Sequence, residues 1–152
     1  MSRSALDQPY SGGFVDGEHH FALTVYYEDT DAAGIVYYAN YLKFMERARS
    51  DMLRALGIDQ RSELERSGSA YAVAEVRIRY RKPAQLGEDL LVLSNVSAIG
   101  AASVTIQQRV MRGDEDVADA AITVAFIGGD RRPQRQPREW VERFNAISKQ
   151  RT

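Results

Sequence analysis

The chain has no cysteine, only two histidines and no apolar run long enough to cross a membrane. Without cysteine there is no thiol nucleophile, no disulfide framework and no thiolate metal site. His19 and His20 are adjacent and stand where the leader meets the first strand. A Ser-His-Asp triad needs its imidazole held rigidly between nucleophile and acid, so both are read as solvated strand-entry residues. An excess of charge is missing too. Twenty Lys and Arg against 21 Asp and Glu leave a net charge of −1, which gives no electrostatic reason to expect nucleic acid or an anionic membrane as partner. The first nineteen residues carry Gly12, Gly13 and Gly17 among polar groups but no apolar h-region of a secretory signal. They are read as a disordered tail, 1–19, and the protein as cytoplasmic. With sulfur and imidazole set aside, hydrolytic chemistry falls to a carboxylate, and no metal or other cofactor is called for.

What is present is ordinary soluble-domain material: 152 residues, 44% apolar and 27% charged. That length suits one domain, 20–150, burying about two-thirds of its unfolded surface. Phe21, Leu23, Val25 and Tyr27 alternate with smaller or polar residues, which predicts a strand. From Tyr38 the period lengthens. Tyr38, Tyr41, Leu42, Met45, Ala48, Met52, Leu53 and Leu56 make one helical stripe, and Gly57 closes it. A short polar helix over 59–67 follows, ended by Gly68. Four strands are then predicted at 71–81, 89–98, 103–111 and 117–127, separated by glycine-bearing turns. An Arg- and Pro-containing linker leads to a last helix over 138–147. Successive short turns argue for an antiparallel meander. The fold class is α+β, one antiparallel sheet wrapped around a long central helix.

The chemistry concentrates between Val25 and Arg49. Glu28, Asp29 and Asp31 fall within four residues, Gly34 punctuates the chain, and the long helix follows. A carboxylate just ahead of a helix N-terminus stands beside main-chain N–H groups able to hold an oxyanion. That layout suits attack on an activated acyl group.

The run from Tyr26 through Asp31-Ala32-Ala33-Gly34-Ile35-Val36 to Tyr41, followed by Phe44, Glu46, Arg47, Ala48 and Arg49, resembles the 4-hydroxybenzoyl-CoA thioesterase family. More narrowly, it resembles the acyl-CoA thioesterase branch associated with the Tol–Pal cell-envelope system. The resemblance implies a hot-dog fold, a homodimer or dimer of dimers, and an active site at the dimer interface. It implies an acyl-CoA substrate and makes Asp31 the catalytic carboxylate, as nucleophile or as general base on water. The main-chain N–H of Tyr38, in the first helical turn, would polarise the thioester carbonyl, and Tyr27 matches a tyrosine sometimes assigned to the site. Gly34, Val36, Tyr71, Val73 and Arg81 are the expected substrate-binding positions. Two departures stand out. The Tol–Pal branch often has histidine where this chain has Tyr38, and basic residues that family members use to grip CoA phosphates are missing from the turn Ala98-Ile99-Gly100-Ala101-Ala102.

Bland roles compete at several positions. Asp29 and Glu28 can simply cap or solvate their loop, Glu46 can form a buried structural hydrogen bond, and Tyr27 can be a core aromatic. Arg77, Arg79 and Arg81 can be a solvated sheet face. Two other functions share the fold. One is a dehydratase acting on acyl carrier protein, disfavoured by the lack of a core histidine. The other is a non-catalytic acyl-CoA- or acyl-carrier-binding subunit of an envelope-associated assembly.

Overall fold

A computed structural model describes residues 4–150. Six strands form one antiparallel sheet: β1 (Gly13–Val15), β2 (Glu18–Thr24), β3 (Ala70–Tyr80), β4 (Asp89–Ile99), β5 (Ser103–Arg112) and β6 (Glu115–Ile127), in the spatial order β1-β2-β4-β5-β6-β3. The helices are α1 (Asn40–Ala55), α2 (Gln60–Ser67) and α3 (Arg138–Gln150). α1 packs across β2, β4 and β5 and buries Tyr41, Phe44, Met45, Ala48, Arg49, Met52 and Leu53. The buried stripe differs from the sequence reading at its edges. Tyr38 precedes the helix, Leu42 is exposed, and Phe44 and Arg49 point inward instead. Gly57 takes φ 75° just past the helix end, a left-handed conformation that favours glycine. α3 closes one end through buried Trp140, Phe144 and Ile147.

The strand order departs from a simple meander. β4, β5 and β6 are sequential neighbours, but β3 pairs with β6 and β2 pairs with β4. The Pro83–Gly87 region therefore is no hairpin; it carries the chain from one edge of the sheet to the far side of β4. The reason lies in main-chain bonding. On the way, Ala84 O accepts from Val36 N–H, Leu86 N–H donates to Gly34 O, and Gly87 N–H donates to Val25 O. A tight hairpin would leave those groups without partners.

The leader also departs from expectation. Residues 1–3 of the expected tail lie outside the described residues; from Tyr10 onward the chain docks. Asp16 and Gly17 both have positive φ, 50° and 79°, as a two-residue type I′ turn requires, and they join β1 to β2. Tyr10 Oη accepts from Ala22 N–H at 2.9 Å, and Gly12 N–H donates to Asp51 Oδ2 on α1 at 2.9 Å. His19 is not solvated. It is fully buried, with Nε2 2.8 Å from Asp51 Oδ2 and the Phe14 ring edge-on against it. Burial holds its pKa below the ordinary value, against the pull of Asp51.

Candidate active site

The loop between β2 and α1 is fixed from both sides. Asp29 Oδ2 accepts from Tyr26 N–H at 2.8 Å, closing a short 3-10 turn over Tyr27–Asp29. Its carbonyl accepts from Tyr37 N–H and from Asn40 Nδ2, so Asp29 caps its loop. Asp31 Oδ1 accepts from Ala33 N–H at 2.8 Å, while Asp31 N–H donates to Ile35 O. Gly34 holds φ 78° at the tip of this turn. The second carboxylate oxygen of Asp31 is left for solvent or a ligand, on an exposed side chain. Glu28 is exposed beside it.

Tyr38 stands two residues ahead of α1, not within its first turn. Neither its N–H nor that of Ala39 has an acceptor among the described residues. Ala39 already has helical dihedrals, so both amides belong to the electropositive entry of the helix. The Tyr38 side chain is 60% exposed and its ring meets Tyr80 edge-on at 6.0 Å. Val36, Tyr38 and Arg81 line one open depression of about 250 Å³ together with Tyr41, Tyr80 and Pro83. Arg81 is engaged there by Asp119, and Arg77 pairs with Glu75 at 2.7 Å.

Tyr27 is 84% exposed on the 3-10 turn, so it is no core aromatic. Glu46 is also exposed and, among the described residues, accepts only from Ser50 Oγ at 3.2 Å, in place of the expected buried bond. Tyr71 and Val73 line a different space, a cavity of about 140 Å³ beneath α1. Burial raises the Tyr71 phenol pKa, and its Oη donates to Gln136 Oε1 at 2.6 Å. At ~3.3 Å per strand residue, Tyr71 and Tyr80 are roughly 30 Å apart along β3. One protomer thus keeps the two halves of the expected site at opposite ends of one strand.

Sequence reading missed the loop after β6. Gln136 Nε2 donates to Gly100 O and Ser103 O, and Gln136 N–H donates to Ala101 O. This lashes the loop to the turn that lacks basic residues. Arg131, Arg132 and Arg135 on that loop are exposed, and none has a side-chain partner among the described residues. The run Arg131-Arg132-Pro133-Gln134-Arg135 was visible as a cationic segment but reads as a linker until its anchoring is seen. No cluster of three or more His, Asp or Glu suited to a metal occurs among the described residues, and no helix among them is long and apolar enough to span a membrane.

Residues 25–146 match the thioesterase-like superfamily. The chain belongs to that superfamily, and its fold is the hot-dog fold. It is 39% identical over 134 residues to the acyl-CoA thioesterase YbgC of Haemophilus influenzae, covering 88% of this chain and 98% of that one. The crystal structure of a probable thioesterase from Bartonella henselae superposes with a TM-score of 0.75 at 32% identity, over 79% of this chain and 99% of that one. A 1,4-dihydroxy-2-naphthoyl-CoA thioesterase from Synechocystis shares the fold, with a TM-score of 0.79 at 21% identity, over 84% of this chain and 96% of that one.

Proposed function

We propose that this protein hydrolyses acyl-CoA thioesters, with Asp31 as nucleophile or as general base on water and the Tyr38 N–H as oxyanion donor. One observation carries the reading. A free carboxylate oxygen on a locked turn stands just ahead in sequence of two amides, unclaimed among the described residues, at the entry of an amphipathic helix. Attack by Asp31, or by water that Asp31 deprotonates, adds oxygen to the carbonyl carbon. Negative charge moves onto the carbonyl oxygen, where an amide at the helix entry stabilises it. In the general-base variant collapse breaks the C–S bond and releases the free acid and the CoA thiolate, which takes up the proton held by Asp31. In the nucleophilic variant collapse releases the thiolate and leaves a mixed anhydride on Asp31, which water then hydrolyses to the free acid and the Asp31 carboxylate. The acyl-CoA thioesterase named among the relatives supports this substrate class.

The unpaired arginines at Arg131, Arg132 and Arg135 are suited to the CoA phosphates, which guanidinium groups bind through paired hydrogen bonds. In this reading they replace the basic residues missing from the 98–102 turn.

A second copy completes the proposal. β3 pairs only with β6 among the described residues, and Val73, Val76 and Tyr80 are exposed along it. Antiparallel pairing of β3 with its own copy would carry Tyr71 and Val73 of one protomer toward the Asp31–Tyr38 loop of the other. A tetramer of two such dimers, the Tol–Pal-associated branch and a cytoplasmic location belong to the same proposal. The pattern from Asp31 to Arg49 supports the branch.

The test is hydrolysis of short, long and aromatic acyl-CoAs followed with a thiol-detecting reagent. Asp31→Asn keeps the Ala33 N–H bond but removes the charge, so it is expected to lower kcat at least about a hundredfold. Asp29→Asn keeps its Tyr26 contact and should cost far less. Equal small losses at both positions would refute the assignment.

A further inference from the structure

Arg49 is 9% exposed on the inward face of α1, yet no carboxylate lies within ion-pair distance of it among the described residues. Its Nη1 donates to Gln108 Oε1 at 3.0 Å, and its other N–H groups have no protein acceptor among the described residues. Gln108, itself fully buried, is held in turn. Its Nε2 donates to Met45 O and to Ser94 Oγ, both at 2.9 Å. The guanidinium is therefore positioned by neutral groups while much of its hydrogen-bonding capacity stays unused. Its remaining N–H groups stay solvent-accessible where α1 borders the space beneath it, so an anion arriving there meets donors unclaimed among the described residues.

The cavity of about 140 Å³ under α1 is where such an anion would enter. Arg49 lines it beside Leu53, Tyr71, Val73, Ile106 and Val124. Its size is close to that of the engineered cavity of about 150 Å³ that takes one benzene, so it holds the far end of an acyl group and not a whole long chain. The acid whose charge acts on Arg49 is Glu46, which also lines the cavity but is exposed, accepts from Ser50 Oγ and makes no ion pair with the guanidinium among the described residues. Arg49 lies nine residues into α1 from Asn40, about 14 Å along the helix axis from the loop of its own protomer, while the β3 pairing proposed above would bring this cavity toward the Asp31–Tyr38 loop of the second copy.

Resting on the thioesterase reading, we propose that Arg49 selects acyl groups whose far end carries a carboxylate, so that the preferred substrates are CoA monothioesters of dicarboxylic acids. The apolar walls take the methylenes, and the guanidinium takes the terminal carboxylate through paired N–H···O bonds.

The test reads binding separately from hydrolysis. CoA S-alkylated with ω-carboxyalkyl groups is compared with CoA S-alkylated with plain alkyl groups over matched chain lengths, by calorimetry on the full chain. The wild type should bind the carboxyalkyl thioether at least about tenfold more tightly at the length that reaches Arg49, the ratio set by one charge-assisted contact. Arg49→Met should collapse that ratio. Arg49→Lys, which keeps the charge but not the paired donors, should lower it severalfold, so the inference stays testable should Arg49→Met fail to fold. A wild-type ratio near one at every length would overturn the proposal. So would variants that weaken both thioethers equally, since a purely structural arginine does not move the ratio. A preserved ratio with no thioester hydrolysed would refute the catalytic reading and uphold this one.

Discussion

Replacing Gly12 by alanine tests whether the leader is a built part of the fold. A Cβ at this position would lie 2.0 Å from His20 O and 3.1 Å from Asp51 Oδ2. The first contact is with the main chain of β2, which pairs with β4 and cannot retreat without breaking that ladder. Gly12 must therefore move, and its N–H loses Asp51 Oδ2. A hydrogen bond to a charged group is worth about 1.5–3 kcal/mol, so a loss near 2 kcal/mol is expected. For a chain of this length that corresponds to a fall in Tm of about 4–8 °C. Gly13 is the internal control, because a Cβ there meets nothing within 4 Å. Gly13→Ala should be close to neutral. Thermal unfolding followed by circular dichroism, at one fixed protomer concentration, measures both. The cost of Gly12→Ala cannot exceed the docking free energy of the β1 hairpin, since beyond that limit the hairpin simply detaches. Equal small shifts for the two alanines would show that the leader contributes nothing to stability, as the sequence reading of a disordered tail implies.

Three other outcomes follow from the same geometry. His19 is held neutral by burial, with its pKa below the unfolded value near 6.5. The unfolded chain therefore binds the extra proton first, so stability is full above pH 6.5 and is lost as pH falls toward the depressed folded value. Denaturant titrations from pH 8 to about 5.5 should show this slope, and His19→Gln should flatten it. Tyr71→Phe leaves the acceptor of buried Gln136 without its phenol partner; a stability loss of about 1–3 kcal/mol is expected, with a raised KM for acyl-CoA if the arginine loop grips the phosphates. Tyr38→Phe should leave kcat nearly unchanged, because the proposed donor is the main-chain N–H; a large drop would move that role to the phenol.

The periodic elements were legible because burial imposes their spacing. The stripe from Tyr38 to Leu56 and the alternation in β6 predicted α1 and a strand whose observed bounds differ by a residue or two. Topology was less legible. Short glycine turns look the same whether they close a hairpin or cross the end of a sheet, and what decides at Pro83–Gly87 is a set of bonds to residues 25–36, far away in sequence. The leader held a readable signal that was overlooked. Val15-Asp16-Gly17-Glu18 is a type I′ hairpin sequence, whereas the glycine content of the segment suggested disorder. Arg49 was not legible, since a helix sequence alone does not reveal which arginine a buried glutamine will reach. For the candidate site, the aspartate turn and helix entry followed from a contiguous motif. The separation of Tyr71 from Tyr38 did not, because it depends on which end of β3 each adjoins.

That separation and the placement of Asp31 have one structural cause. The crossover after β3 bonds to the aspartate loop through Ala84 O and Val36 N–H, and to α1 through Ala84 N–H and Tyr41 Oη at 3.2 Å. Ala84 is fully buried at this junction, so loop, helix entry and crossover share one fixed point. By carrying the chain across to β4, the same crossover leaves β3 at the sheet edge with no second neighbour among the described residues. Had residues 81–88 closed a hairpin, β3 would be an interior strand and the aspartate turn would lose the carbonyl that aligns Val36. The crossover that aligns Val36 on the aspartate loop is thus also the one that leaves β3 an edge strand, so under the proposed dimer a complete site and an assembled pair would follow from the same chain path.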